Sequence, residues 1–182
     1  MSEILITKIV FGILLSIGML VLFVLAFKLF YKYLIQEKRC TSKIKGTIKK
    51  YTLASRGGEN SGVHLPIVFY NVNGKEYKVV GPEYKAYITI SKSSPFSKNK
   101  MEYKENNQVL KINRTSNSFV GIYKNPIEEL YPINTEIDVY YDPNNPKLSY
   151  VLRYCNKKWL FYLTFCSALL ILVIDLLMLL VL

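Results

Sequence analysis

The sequence predicts an α+β membrane protein in which two transmembrane helices flank a small antiparallel β domain, barrel-like or sandwich in form. Three observations carry that expectation. Two apolar runs stand far apart in the chain, 9–27 ("IVFGILLSIGMLVLFVLAF") without a charge and 159–182 ("WLFYLTFCSALLILVIDLLMLLVL") with Asp175 alone. Between them the apolar period changes from helical to two, the mark of strands with one buried face. An Asn-Gly pair also joins two β-rich segments, the strongest short-range hairpin signal.

Residues 1–8 read as an N-terminal tail. The run 9–27 is long enough to cross about 30 Å of hydrocarbon as a helix, which satisfies its own backbone groups there. No small-x-small cleavage site follows it, since "KLFYKYLIQEKRC" is a poor processing region, so the helix is expected to be retained. Residues 28–39 form a basic juxtamembrane segment and 159–182 a second spanning helix. The interval 40–156 suffices for one β domain with its own core.

The chain carries a net charge of +11 with 51% hydrophobic residues, too basic and too apolar for an ordinary soluble domain. Lys28, Lys32, Lys38, Arg39, Arg153, Lys157 and Lys158 lie on the inner flanks of the two spans and only Lys8 on an outer flank. The positive-inside rule therefore orients the central domain toward the cytoplasm of a multi-pass cell-membrane protein. Membrane proximity accounts for much of the charge. Cys40, Cys155 and Cys166 have no metal-binding spacing; a reducing compartment would leave them thiols, an external one would let Cys40 and Cys155 pair.

In "SKIKGTIKKY" Ile44, Gly46 and Ile48 alternate with Lys43, Lys45, Thr47 and Lys49, and in "EIDVYYD" Ile137, Val139 and Tyr141 alternate with charged or polar neighbours. Both are expected as half-buried strands. "HLPIVFYNVNGKEYKVV" is expected as a hairpin whose Asn73-Gly74 turn takes the positive φ angles of type I′ and has no ligand role. The glycines of "SRGGENSG" (55–62) have neither the helix start nor the Lys-Ser/Thr pair of a phosphate loop, so they read as a connection. The polar stretch at about 91–107 reads as an exposed insertion whose lysines either stay solvated or touch anionic lipid headgroups. "QVLKIN" and "SFVGIY" are further strand candidates, and "NPIEELYP" a helical turn with Pro126 near its start.

In "YYDPNNP" Pro143 suits the second position of a type I turn, Asp142 and Asn144 can bond nearby amides, and Pro146 is expected to delay the next strand. Asp142, Asn144 and Asn145 offer oxygens to a hard cation, but a calcium site wants six or more, so a turn is the reading. His64 has no Cys, Ser or Asp at triad or metal spacing, and Glu128-Glu129 reads as a solvated turn. Neither a Gly-x-Ser-x-Gly elbow nor a His-Glu-x-x-His helix occurs. No catalytic, cofactor or metal residue is expected. Fifteen tyrosines beside many lysines raise nucleic-acid binding, but Tyr70, Tyr77 and Tyr141 fall in strand patterns that bury them, so none is expected.

"HLPIVFYNVNGKEY" followed by "YPINTEIDVYYDPNNPKLSYVL" resembles the bacterial membrane proteins grouped as family 3592 of domains of unknown function. There a "Y-x-V-x-G-x-x-Y" segment precedes "G-x-x-V-x-V-x-Y-D-P-x-x-P" between hydrophobic helices. The resemblance covers 41–152 discontinuously. Asn134 stands where the family often has Gly, and the connection 81–130 is longer than usual. It implies architecture, brings no established catalytic residues and is silent on chemistry. The expected function is a non-catalytic membrane-anchored β module that binds a membrane or envelope protein or assists membrane assembly or protection. The alternative is a small transport or channel subunit using Asp175, whose charge is costly in lipid. An antiparallel helix pair would set Asp175 level with Phe11 or Gly12, with Lys8 one turn further out as its expected partner; a polar group of a partner subunit, or a carboxyl that stays protonated or reaches interfacial water, are the alternatives.

Overall fold

The computed structural model describes residues 3–54, 63–93, 100–106, 108–116 and 125–181, which divide into a helical unit (1–35 with 156–182) and a β unit (36–155). The expectations for 55–62 and for "SFVGIY" lie outside the described residues.

In the helical unit, α1 (Glu3–Leu25) runs into a π-helical turn, Ala26–Phe30, and α4 spans Lys158–Val181; α2 (Lys32–Arg39) begins in this unit and ends in the β unit. The π turn closes with a Tyr31 N–H to Ala26 carbonyl bond of 2.9 Å. Helices α1 and α4 pack antiparallel. Phe27 meets Phe161 edge to face with ring centroids 5.6 Å apart, Phe23 meets Phe165 at 5.6 Å, and at the other end Ser16 touches Asp175. Both helices are long and apolar enough to cross a membrane, and their outward residues, such as Leu14 and Leu170, remain exposed.

The β unit opens with β1 (Ser42–Tyr51), whose alternation buries Gly46 and Ile48 and leaves the lysines out. A register shift between Ile48 and Lys50 lets Lys49 and Lys50 both face outward and returns Tyr51 to the core side, as a β-bulge does. Strands β2 (Pro66–Val72) and β3 (Lys75–Val80) form the hairpin at Asn73-Gly74, where φ is +52° and +76°. Strands β7 (Glu136–Asp142) and β8 (Asn145–Val151) complete an antiparallel sheet of order β3-β2-β1-β7-β8. Its end strands approach one another, so it curls into a nearly closed barrel around Ile48, Val68, Tyr70, Val139 and Val151.

A second, three-stranded sheet of order β4-β6-β5 is built from β4 (Ala86–Ser93), β5 (Lys100–Asn106) and β6 (Val109–Ser116). All of it comes from the long connection 81–130. Its core, with Val63, Leu65, Tyr84, Leu110, Ile112 and Ile127, meets the barrel core through Tyr51 and Tyr131.

Three expectations are corrected here. The stretch at about 91–107 contributes strand to both β4 and β5. Strand β5 has only a short apolar alternation, Met101 and Tyr103, of which Met101 packs against the second core while 102–106 are exposed, so backbone pairing with β6 defines it more than burial does. The β domain is not wholly antiparallel: β4 and β6 pair in parallel, because the chain reverses twice between them and returns in its original direction. Pro146 does not delay β8, which already pairs at Asn145 across from Asp142. β8 lies at the end of the strand order, where a residue without an N–H is tolerated.

Candidate functional site

Asp142 is 2% exposed, and its carboxylate is engaged on both sides. The Asn144 N–H donates to Oδ1 at 3.0 Å, the Asx geometry expected of the two-residue Pro143-Asn144 loop. Oδ2 lies 2.8 Å from Nε of Arg39 in a charge contact. Around this pair, Gln36 Nε2 donates to the Ser149 carbonyl at 3.0 Å and the Cys40 thiol to the Leu148 carbonyl at 3.3 Å. The Tyr70 hydroxyl donates to the Pro146 carbonyl and lies 2.9 Å from Ser149 Oγ. Gln36, Arg39 and Cys40 thus clip the chain onto β8 where it enters the barrel. Burial, with the negative charge of Asp142 adding to it, pushes the Cys40 thiol up to about 11 against the partial opposition of Arg39. Sequence spacing gave no sign of this clip, since Gln36 and Ser149 are 113 residues apart.

Asn73 and Gly74 form the hairpin turn, and space around Gly74 is open. On the outer face of β1 and β7, Lys43 and Lys45 hold Asp138 at 2.9 and 2.7 Å, and their hydrogen bonds lower its carboxyl from the usual range. His64 has a structural setting: its Nδ1 is 2.7 Å from the Thr52 carbonyl. Asn125 grips the His64 backbone from both sides, accepting its N–H at 3.1 Å and donating to its carbonyl at 2.9 Å. The same Oδ1 accepts from Ile127 N–H at 3.4 Å and caps α3 (Pro126–Leu130), with Pro126 at the first helical position. Arg153 stacks on Tyr84, with its guanidinium carbon 4.9 Å from the ring centroid, and pairs with Glu105. Burial pushes the Tyr84 hydroxyl far up. Tyr70, Tyr77 and Tyr141 lie together, centroids 5.8 and 6.2 Å from Tyr70, with Tyr70 in the barrel core and the other two against it.

Arg153 keeps Nε and Nη2 buried without a hydrogen-bond partner, and in the helical unit the same holds for Oδ1 of Asp175. Asp175 is 8% exposed on α4, and Ser16 Oγ donates to its Oδ2 at 3.0 Å. Gly12 is beside it: a Cβ there would stand 3.6 Å from Oδ1, so Asp175 sits at the depth the antiparallel pairing predicts. The expected Lys8 partner lines the same groove but makes no ion pair among the described residues. Ser16, one turn beyond Gly12, holds the near oxygen instead. Among the described residues, no group of three or more His, Cys, Asp or Glu could hold a metal ion.

These features define a class, an α+β chain with a nearly closed barrel-like sheet and two apolar helices of membrane-spanning length flanking it in sequence. No family model, curated protein or solved structure matches the chain.

Proposed function

We propose that the chain is a multi-pass cell-membrane protein whose β unit is a non-catalytic module in the cytoplasm, binding a protein partner at a bacterial envelope or assisting membrane assembly or protection. One observation carries this reading: the buried polar residues of the β unit, Asp142, Ser149 and Gln36, are used to hold the barrel and its entering segment together, and the half-buried Arg153 stacks on Tyr84 and pairs with Glu105. Such an arrangement builds a rigid scaffold rather than a reaction site. The Lys and Arg residues on the inner flanks of the helices support the cytoplasmic orientation. Resemblance of 41–152 to family 3592 of domains of unknown function supports the architecture, and the second sheet from the long 81–130 connection is the part that would set this chain's partner apart. Anionic lipid headgroups near the basic flanks are a further contact of the module.

Crosslinking the intact protein in its membrane, followed by purification, tests this directly. A stoichiometric protein partner bound through the β unit is the expected result. One observation favours a transport subunit instead, namely the buried carboxylate of Asp175 within an apolar helix. Ion flux from the purified protein alone, abolished by Asp175→Asn, would replace the module reading with that one.

A further inference from the structure

A groove of about 380 Å³ runs along α1 beside Asp175, walled by Ile13 and Ile17 and including Lys8, Gly12 and Ser16. Its walls are apolar and open outward, with Ile13 55% exposed. Two polar features stand in it without partners. Oδ1 of Asp175 is buried yet accepts no hydrogen bond, and Lys8 makes no ion pair among the described residues. A carboxylate oxygen left so within lipid is costly and calls for a donor at the same depth. Gly12 and Ser16, spaced as small-x-x-x-small, seat Asp175 of α4 in the same chain, so a further helix would lie along Ile9, Ile13 and Ile17 with the unanswered oxygen at its edge.

We propose that this groove is the interface of a homodimer, in which α1 of a second copy lies along it and Lys8 of each copy pairs with Asp175 of the other. Charge complementarity selects a second copy as occupant. The groove carries one acid and one base a turn apart, so a two-fold axis between two α1 helices answers both charges twice, as an isologous interface requires. Within one chain Ser16 answers Oδ2 and leaves Oδ1 to the neighbour. The proposal rests on the two helices spanning the membrane, and it is independent of what the β unit binds.

Full-length protein with Cys166→Ser, which removes the exposed native thiol, provides the background for Ile13→Cys on the groove wall and Leu14→Cys off it. In native membranes under mild oxidation, Ile13→Cys should form a covalent dimer and Leu14→Cys should not. Charge exchange then separates contact between copies from contact within one. Lys8→Asp and Asp175→Lys chains each place like charges together when paired with themselves, but a mixed dimer restores both opposite-charge contacts. Co-expressed with distinct tags, the two should crosslink to each other through Ile13→Cys and neither to itself. An internal Lys8–Asp175 pair cannot produce that result, because each chain would keep its own like-charge pair however the chains are mixed.

Asp175→Asn, neutral and of the same shape, is the second variant: it should insert normally and dimerise about ten-fold more weakly, the scale of two interhelical polar contacts. Resistance to alkaline carbonate extraction is read in parallel. Protein released by carbonate overturns the membrane reading itself, whereas inserted protein that is monomeric, with lipid alone in the groove, overturns the dimer. Dimers indifferent to Asp175→Asn and to charge exchange overturn it as well.

Discussion

Gly46 is where the barrel leaves least room, and Gly46→Ala tests whether its strands close as described. The residue lies in the middle of β1, the central strand of the sheet, and is buried. An added Cβ would fall 2.6 Å from Val68 Cγ1, 3.0 Å from the Phe69 carbonyl oxygen and 3.0 Å from Val139 Cγ2. Carbon pairs rest at about 3.5–4.0 Å, so the overlap with Val68 approaches an ångström. Val68 and Val139 are fully buried and β-branched, which leaves them little rotameric escape, and the Phe69 oxygen is backbone. β1 cannot retreat either, because it is paired with β2 on one side and β7 on the other. Overpacking of this kind costs roughly 1–3 kcal/mol, against somewhat under about 1 kcal/mol returned by restricting the unfolded chain, for a net loss of about 1–2 kcal/mol. For a unit of this size that lowers the melting temperature by about 4–10 °C. The assay is thermal loss of the strand signal in circular dichroism of the full-length protein in detergent. Val68→Ala removes the methyl that is struck, so the double variant should be less destabilised than the sum of the singles by about 1 kcal/mol. A Gly46→Ala protein as stable as wild type, or strictly additive losses, would refute the packing argument.

Asn125→Ala removes two bonds to the His64 backbone and the α3 cap, and should destabilise the β unit by about 2 kcal/mol in the same assay, with Asn125→Asp losing the bond to the His64 carbonyl. Gly74→Val meets open space but forces a β-branched residue to φ +76°, so limited proteolysis should show a loss of at least about 1 kcal/mol and only a mild effect for Asn73→Asp. Cys40 and Cys155 are each 4% exposed, so a water-soluble maleimide at pH 7.5, roughly one unit below the ordinary thiol pKa, should leave both unlabelled in the folded protein and modify them once the β unit is unfolded; modification of both in the folded protein would contradict the burial. Topology is therefore better tested by Lys75→Cys at the exposed hairpin tip in a Cys166→Ser background, where labelling of intact cells by an impermeant reagent before lysis would place the β unit outside. The raised Cys40 thiol makes stability pH-dependent: the fold favours the neutral form, so its contribution is complete below pH 9.0 and is lost as pH rises through about 11, and an alkaline melting series should show a smaller decline in Cys40→Ala.

Local pattern made much of this molecule legible. Long apolar runs announced α1 and α4, the inward set Ile44, Gly46 and Ile48 announced the buried face of β1, and Asn73-Gly74 announced its turn, because each signal is a property of neighbours in the chain. Tertiary structure decided the rest. Strand β5 has an apolar alternation of only two residues, Met101 and Tyr103, and relies on the ladder that β6 supplies; β4 lies parallel to β6 because of the order in which the chain reverses. Arg39 finds Asp142, and Ser16, not Lys8, finds Asp175 across 159 residues of sequence. Periodicity tells which face of an element is apolar, but a buried polar atom is answered by whichever donor packing brings within about 3 Å, and chain separation does not encode that distance.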